Sequence, residues 1–165
     1  MQTKSLRAPW PRWSRILSFG LLVITVAFIF SNSMETAAES TVKSESALGL
    51  LQMLLQQLPD WFTEYFLRKL GHFAEYSLVG GVLFFCLRSC TVHLWRHGTK
   101  AMLGGILIAL TDETIQLFFE GRSGQITDVW LDSAGVLFGM LFVGCLVLWI
   151  EHYTAHRRST TGGNV

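Results

Sequence analysis

The chain alternates between long apolar runs and short stretches crowded with charge. The first run, from Ile16 to Met34, carries no charge at all. The second, Leu70 to Leu87, holds only His72 and Glu75. The third, Ala101 to Phe119, contains Asp112 and Glu113. The fourth, Val129 to Ile150, has a single acid, Asp132. Each matches the roughly 20 residues an α-helix needs to cross a hydrocarbon core of about 30 Å. A soluble helix would need a polar face, and most of each run has none. The pattern predicts an all-α integral membrane bundle of four transmembrane helices, about 16–31, 70–87, 101–119 and 129–150, forming one domain over 1–165.

Between the first two runs, Ala47 to Leu58 places leucines at 48, 50, 51, 54, 55 and 58 opposite Gln52, Gln56 and Gln57. That period predicts an amphipathic helix at the membrane interface, with a plain packing helix as an equal alternative. Pro59-Asp60 breaks it, and Trp61, Phe62, Tyr65 and Phe66 supply an interfacial aromatic belt. Residues 159–165 read as a short flexible tail.

Composition agrees with this picture. Of 165 residues, 50% are hydrophobic and 15% charged, against about 25% charged in soluble domains. Net charge is +1, which excludes the basic field of a nucleic-acid binder, and the apolar content excludes a disordered chain. The partner this composition calls for is the lipid bilayer. Cys86, Cys90 and Cys145 form no disulfide or metal pattern and read as small apolar fillers near the cytoplasmic side.

Lys and Arg counts set the orientation. Lys4, Arg7, Arg12 and Arg15 precede the first run; Arg88, Arg96 and Lys100 lie in the 88–100 loop; Arg157 and Arg158 lie in the tail. The 32–67 segment is mostly acidic, with Glu35, Glu39, Glu45, Asp60 and Glu64 against Lys43. Both ends are therefore expected to be cytoplasmic. Arg68 and Lys69 are the exception, at the outer mouth of the second span. The N-terminus also resembles a signal peptide, with Thr36 and Ala38 as small residues for cleavage, yet its uncharged run is long enough to stay as an anchor.

Ionisable groups inside spans cost roughly 2.5–3.5 kcal/mol each on insertion scales, so they mark function or pairing. In this topology Lys69, His72, Glu75, Asp112, Glu113, Gln116, Asp128 and Asp132 all fall in the outer half, on three helices. Arg68 and His72, His72 and Tyr76, Asp112 and Gln116, and Asp128 and Asp132 are i, i+4 pairs. Asp132, Gly135 and Gly139 share one stripe, and small residues there let another helix approach closely; Gly80-Gly81 and Gly104-Gly105 offer the same. Between the last two spans, Gly121 and Gly124 suit a turn, Arg122 offers a fork for carboxylate or phosphate, and Thr127 or Asp128 is a candidate cap for the last span. His93, His97, His152 and His156 read as solvated.

Two readings follow. In one, a polar pocket open to the outer leaflet binds or processes an anionic amphiphile. His72, Glu75, Asp112, Glu113, Asp128 and Asp132 are its candidate catalytic groups, and Arg68, Lys69, Tyr76, Gln116 and Arg122 its candidate substrate-binding groups. The carboxylates would also suit a divalent cation of the Mg²⁺ type. In the other, the same groups are interhelical glue in a non-enzymatic scaffold or accessory subunit. A proton or ion pathway is weaker, because the inner halves offer no polar relay. Whether chemistry occurs stays open at this level.

RKLGHFAEYSLVGG (68–81) and TDETIQLFFEGRSGQITDVWLDSAGVLFG (111–139) resemble the two signature blocks of the VanZ-like family. The matching positions are Lys69, His72, Phe73, Glu75 and Tyr76, then Asp112, Glu113, Gln116, Phe118, Gly121, Arg122, Asp128, Asp132, Gly135 and Gly139. Phe30-Ser31-Asn32-Ser33 is loosely similar to the serine-rich end of the family's first span. The resemblance implies a small multi-pass protein of the bacterial cytoplasmic membrane that keeps its first span. The family's namesake is associated with tolerance of teicoplanin, a lipoglycopeptide that acts on lipid-linked cell-wall precursors, so a lipid-linked envelope component is the substrate class it implies.

Overall fold

The structure is a computed structural model and describes residues 11–55, 58–90 and 94–161. Five helices follow one another, and no strand occurs among the described residues: α1 Arg12–Ser33, α2 Ala37–Leu55, α3 Glu64–Cys90, α4 Leu94–Gln116 and α5 Ile126–Thr161. Three of them, α1, α3 and α5, are long and apolar enough to cross a membrane. The chain is an all-α membrane bundle.

Helix α4 overlaps the third apolar run but is not confined to it. It starts at Leu94 and ends at Gln116, so Leu117 and Phe118, expected inside a span, sit exposed in the following turn. Elsewhere the helices outrun their apolar runs, for one reason. Charge-free runs locate where a helix is apolar, whereas backbone hydrogen bonding continues through flanking polar residues. Arg88 and Lys100 accordingly lie within α3 and α4 rather than in a loop. Of the expected tail 159–165, residues 159–161 belong to the last turn of α5 and 162–165 lie outside the described residues. Helix α2 begins at Ala37, well before the amphipathic segment. Thr36 caps it: its hydroxyl accepts the Glu39 amide hydrogen bond at 3.3 Å, and its own N–H donates to Glu39 Oε2 at 2.9 Å. This reciprocal capping box holds the Glu39 carboxyl below the usual carboxylate range. Thr36 thus has a structural task beside its small size.

The core runs along the middle of the bundle, where Ile29 of α1, Tyr76 and Val79 of α3, Ala109 of α4 and Val136 of α5 pack together. Glycines allow α3 and α5 to touch backbone to backbone. A Cβ on Gly135 would lie 2.7 Å from the Phe73 carbonyl oxygen, and one on Gly80 would overlap the carbonyl of Val136. The small-residue stripe read from sequence is therefore the α3–α5 seam.

Polar groups fasten the bundle at both ends. At one, Arg15 Nε donates to the Ser89 carbonyl at 3.1 Å, and Arg88 Nη2 pairs with Glu151 at 2.8 Å. Arg88 and Glu151 are 5% and 15% exposed, so this ion pair is an interhelical contact between α3 and α5 rather than loop charge. Cys145 is exposed rather than a packed filler, and Cys86 is half-buried. His152 and His156 are exposed as expected. Expectations for Lys4, Arg7, Gln56, Gln57 and His93 lie outside the described residues, as do those for the side chains of Cys90, Arg96, His97, Arg157 and Arg158.

Candidate functional site

The opposite end of the bundle gathers the remaining ionisable groups. Close packing at Gly135 draws the first turns of α5 against α3, so Asp132, one turn earlier, meets His72. Their nearest atoms, His72 Nδ1 and Asp132 Oδ1, are 3.7 Å apart. Asp132 and Tyr76 are fully buried, and neither Asp132 oxygen nor the Tyr76 hydroxyl has a hydrogen-bond partner. From α4, Asp112 completes the group. It is also fully buried and accepts hydrogen bonds from the Ser33 hydroxyl of α1 and, at 3.4 Å, from Gln116 Nε2. One donor atom from each of His72, Asp112 and Asp132 lies within 4.8 Å of the others.

Around this centre the other carboxylates have separate attachments. Glu75 accepts a hydrogen bond from Asn32 Nδ2 of α1 at 3.0 Å. Glu113 accepts the Gln125 amide hydrogen bond at 2.8 Å and that of Gln116 Nε2 at 3.3 Å, so it anchors the turn leading into α5. Asp128 pairs with Lys69. Helix α5 starts at Ile126. Thr127 and Asp128 are therefore in its first turn instead of capping it, and the acid there favours the positive end of the helix.

Arg122 is placed by the turn between α4 and α5. Gly121 takes φ of +73°, which a glycine adopts without strain, and Glu120 accepts the Ala37 amide hydrogen bond at 3.0 Å. Arg122 then donates from Nε to the Glu35 carbonyl at 3.1 Å and from Nη2 to the Asn32 carbonyl at 3.0 Å. Both carbonyls lie at or just past the end of α1, and that of Asn32 also accepts the Glu35 amide hydrogen bond at 3.3 Å. The expected anion-binding arginine is thus first a clamp between two segments. Arg68 reaches Glu64 at 3.4 Å and lies 5.9 Å from the Tyr65 ring centroid, while Lys69 lies 5.2 Å from the same centroid.

Two polar cavities open beside the cluster, between the bundle and α2. One, of about 290 Å³, is lined by Glu35, Lys43, Arg68, His72, Glu75 and Arg122 among others. The other, of about 90 Å³, shares Arg68, His72 and Arg122 and adds Lys69, Gln116 and Asp128. Counting Lys, Arg, Asp and Glu alone, the larger has three cations against two carboxylates and the smaller three against one. A larger groove of about 640 Å³, between Phe84, Met102, Met140 and Leu148 in the other half of the bundle, is almost wholly apolar and has the chemistry of a lipid-facing crevice.

The structure therefore brings His72, Tyr76, Asp112 and Asp132 together, sets Glu75, Gln116, Arg68, Arg122 and the Lys69–Asp128 pair at the cavity walls, and turns Glu113 to the backbone of Gln125. Of the carboxylates read from sequence, Asp112 and Asp132 share this tight group with His72, while Glu113 and Asp128 do not belong to it. Sequence reasoning missed two contributors, Asn32 and Ser33. Their signal was present: both are polar and close an otherwise apolar run.

Neither a curated protein nor a solved structure matches the chain. The VanZ/LLP1 family profile matches residues 17–148, which takes in both signature blocks, all of α2, α3 and α4, and most of α1 and α5. The chain belongs to the VanZ/LLP1 family.

Proposed function

We propose that the chain is a multi-pass protein of the bacterial cytoplasmic membrane that receives the anionic headgroup of an amphiphilic cell-envelope component in its polar end, at the outer leaflet. Helix α4 would be the fourth span. Leu103, Leu107 and Leu110 are 57%, 64% and 47% exposed, one lipid-facing stripe at i, i+4 and i+7. Helix α2 would lie along the interface, with Leu50, Met53 and Leu54 exposed and the Trp61, Phe62 and Phe66 cluster following it in the chain.

The observation that supports the reading is that two guanidinium groups, Arg68 and Arg122, line both polar cavities, with Lys43 and Lys69 beside them in ion pairs with Glu35 and Asp128. Guanidinium groups suit phosphate and carboxylate, and Arg122 keeps Nη1 while Nε and Nη2 hold α1. The acyl chains would lie along the apolar helix faces. The namesake's link to teicoplanin makes lipid-linked wall precursors candidates.

Mass spectrometry of compounds that co-purify with the detergent-extracted protein tests this. An anionic amphiphile enriched over its share of the membrane is expected; a lipid profile matching the bulk membrane would contradict it.

The Ser33–Asp112 and Lys69–Asp128 contacts favour a second reading, a scaffold whose polar groups specify helix packing. That reading predicts that Asp132→Asn chiefly lowers folded yield.

A further inference from the structure

The cluster at the floor of the site poses a charge problem. Asp112 and Asp132 are both fully buried, and neither oxygen of Asp132 accepts a hydrogen bond. Nearby cations are committed elsewhere: Lys69 to Asp128, Arg68 to Glu64, and two nitrogens of Arg122 to backbone carbonyls. Two buried carboxylates that face one imidazole and two neutral donors are costly, above all at membrane depth. His72 Nδ1 is buried without a hydrogen-bond partner too, 3.7 Å from Asp132 Oδ1, so the two residues face each other with unsatisfied polar atoms.

The donor set says what would satisfy them. An imidazole nitrogen with two carboxylates suits zinc and neighbouring first-row transition metals, whereas Mg²⁺ prefers oxygen alone. Zinc–donor bonds of about 2.0–2.1 Å put two tetrahedral ligands about 3.4 Å apart. The His72–Asp132 separation of 3.7 Å is close to that, and the full group falls within 4.8 Å. The Ser33 and Gln116 bonds to Asp112 orient that carboxylate, as outer partners of metal ligands do.

We propose that His72, Asp112 and Asp132 bind one divalent transition-metal ion of the zinc class, with the Tyr76 hydroxyl beside it and a coordination position left open. His72 also lines both polar cavities, which provides the route in. The site goes beyond the headgroup reading and does not rest on it.

The test uses the full-length protein in detergent, stripped with chelator and dialysed separately against Zn²⁺, Mn²⁺ and Mg²⁺, with bound metal read by elemental mass spectrometry. One Zn²⁺ per chain is expected, at least 10-fold tighter than Mg²⁺. His72→Gln and Asp132→Asn should weaken it at least 100-fold, and Asp60→Asn, at an exposed acid, should leave it unchanged. Thermal unfolding guards against simple misfolding: zinc should raise the wild-type midpoint, while metal-free Asp132→Asn should unfold no earlier than metal-free wild type yet show no zinc response. Absence of stoichiometric zinc or manganese, wild-type affinity in both variants, or a metal-free Asp132→Asn protein that unfolds well before metal-free wild type would overturn the proposal.

Discussion

Gly139 of α5 sits directly against the backbone carbonyl of Ser77 in α3, so that a Cβ there would lie 2.6 Å from the carbonyl carbon and closer still to its oxygen. The obstruction is backbone, which cannot rotate away. Gly139→Ala should therefore destabilise the bundle by about 1–3 kcal/mol or more, as overpacking does elsewhere. Gly20→Ala in α1, where nothing lies within 4 Å, should fall within about 0.5 kcal/mol of wild type or gain slightly from helix propensity. Folded fraction on denaturant titration in detergent separates the two.

Ser33 contributes through one hydroxyl. Its hydrogen bond to buried Asp112 joins α1 to α4. Polar contacts between membrane helices average about 0.6 kcal/mol and reach about 1.7. Ser33→Ala should sit near the upper end, because it leaves a buried carboxylate less satisfied. In the double variant with Asp112→Asn the two losses should be less than additive, and full additivity would show that the residues do not communicate.

Arg122 ties the α4–α5 turn to the end of α1 through two separate nitrogens. Lysine keeps the charge but has one nitrogen, so Arg122→Lys should lose one of two charge-assisted bonds, each worth about 1.5–3 kcal/mol. Limited proteolysis within 117–125 should accelerate about 10-fold or more. Cleavage at the wild-type rate would mean that the clamp does not hold the turn.

Much of this arrangement is legible in the sequence because one-dimensional spacing reports faces. The stripe of Asp132, Gly135 and Gly139 and the i, i+4 pair of His72 and Tyr76 become the α3–α5 seam and its buried cluster. What spacing cannot report is which neighbour a face meets. Hence Glu113 emerges as an acceptor for the backbone of Gln125, and Arg88 as a partner of Glu151 across the bundle. Asn32 and Ser33 are read only as the end of the first span, not as part of the site, for a related reason: uncharged polar residues at a span end are equally consistent with an exposed boundary. Helix α2 is under-read because Ala37 to Ser46 lacks apolar periodicity and is started by a cap rather than by a buried face.

Orientation is testable with cysteine probes in a background carrying Cys86→Ser, Cys90→Ser and Cys145→Ser. Ser46→Cys and Ser123→Cys, both exposed at the polar end, should react with a membrane-impermeant maleimide in intact cells. Thr154→Cys, exposed at the other end, should react only after lysis. The reverse pattern would place the pocket in the cytoplasm.

The most direct measurement of the central claim is native mass spectrometry of the detergent-solubilised protein titrated with phosphatidylglycerol or phosphatidylcholine. The cation-rich cavities predict at least 10-fold tighter binding of the anionic lipid by wild type, and loss of that preference in Lys43→Gln/Arg68→Gln. Equal binding of the two lipids, or an anionic preference that survives in the double variant, would contradict it.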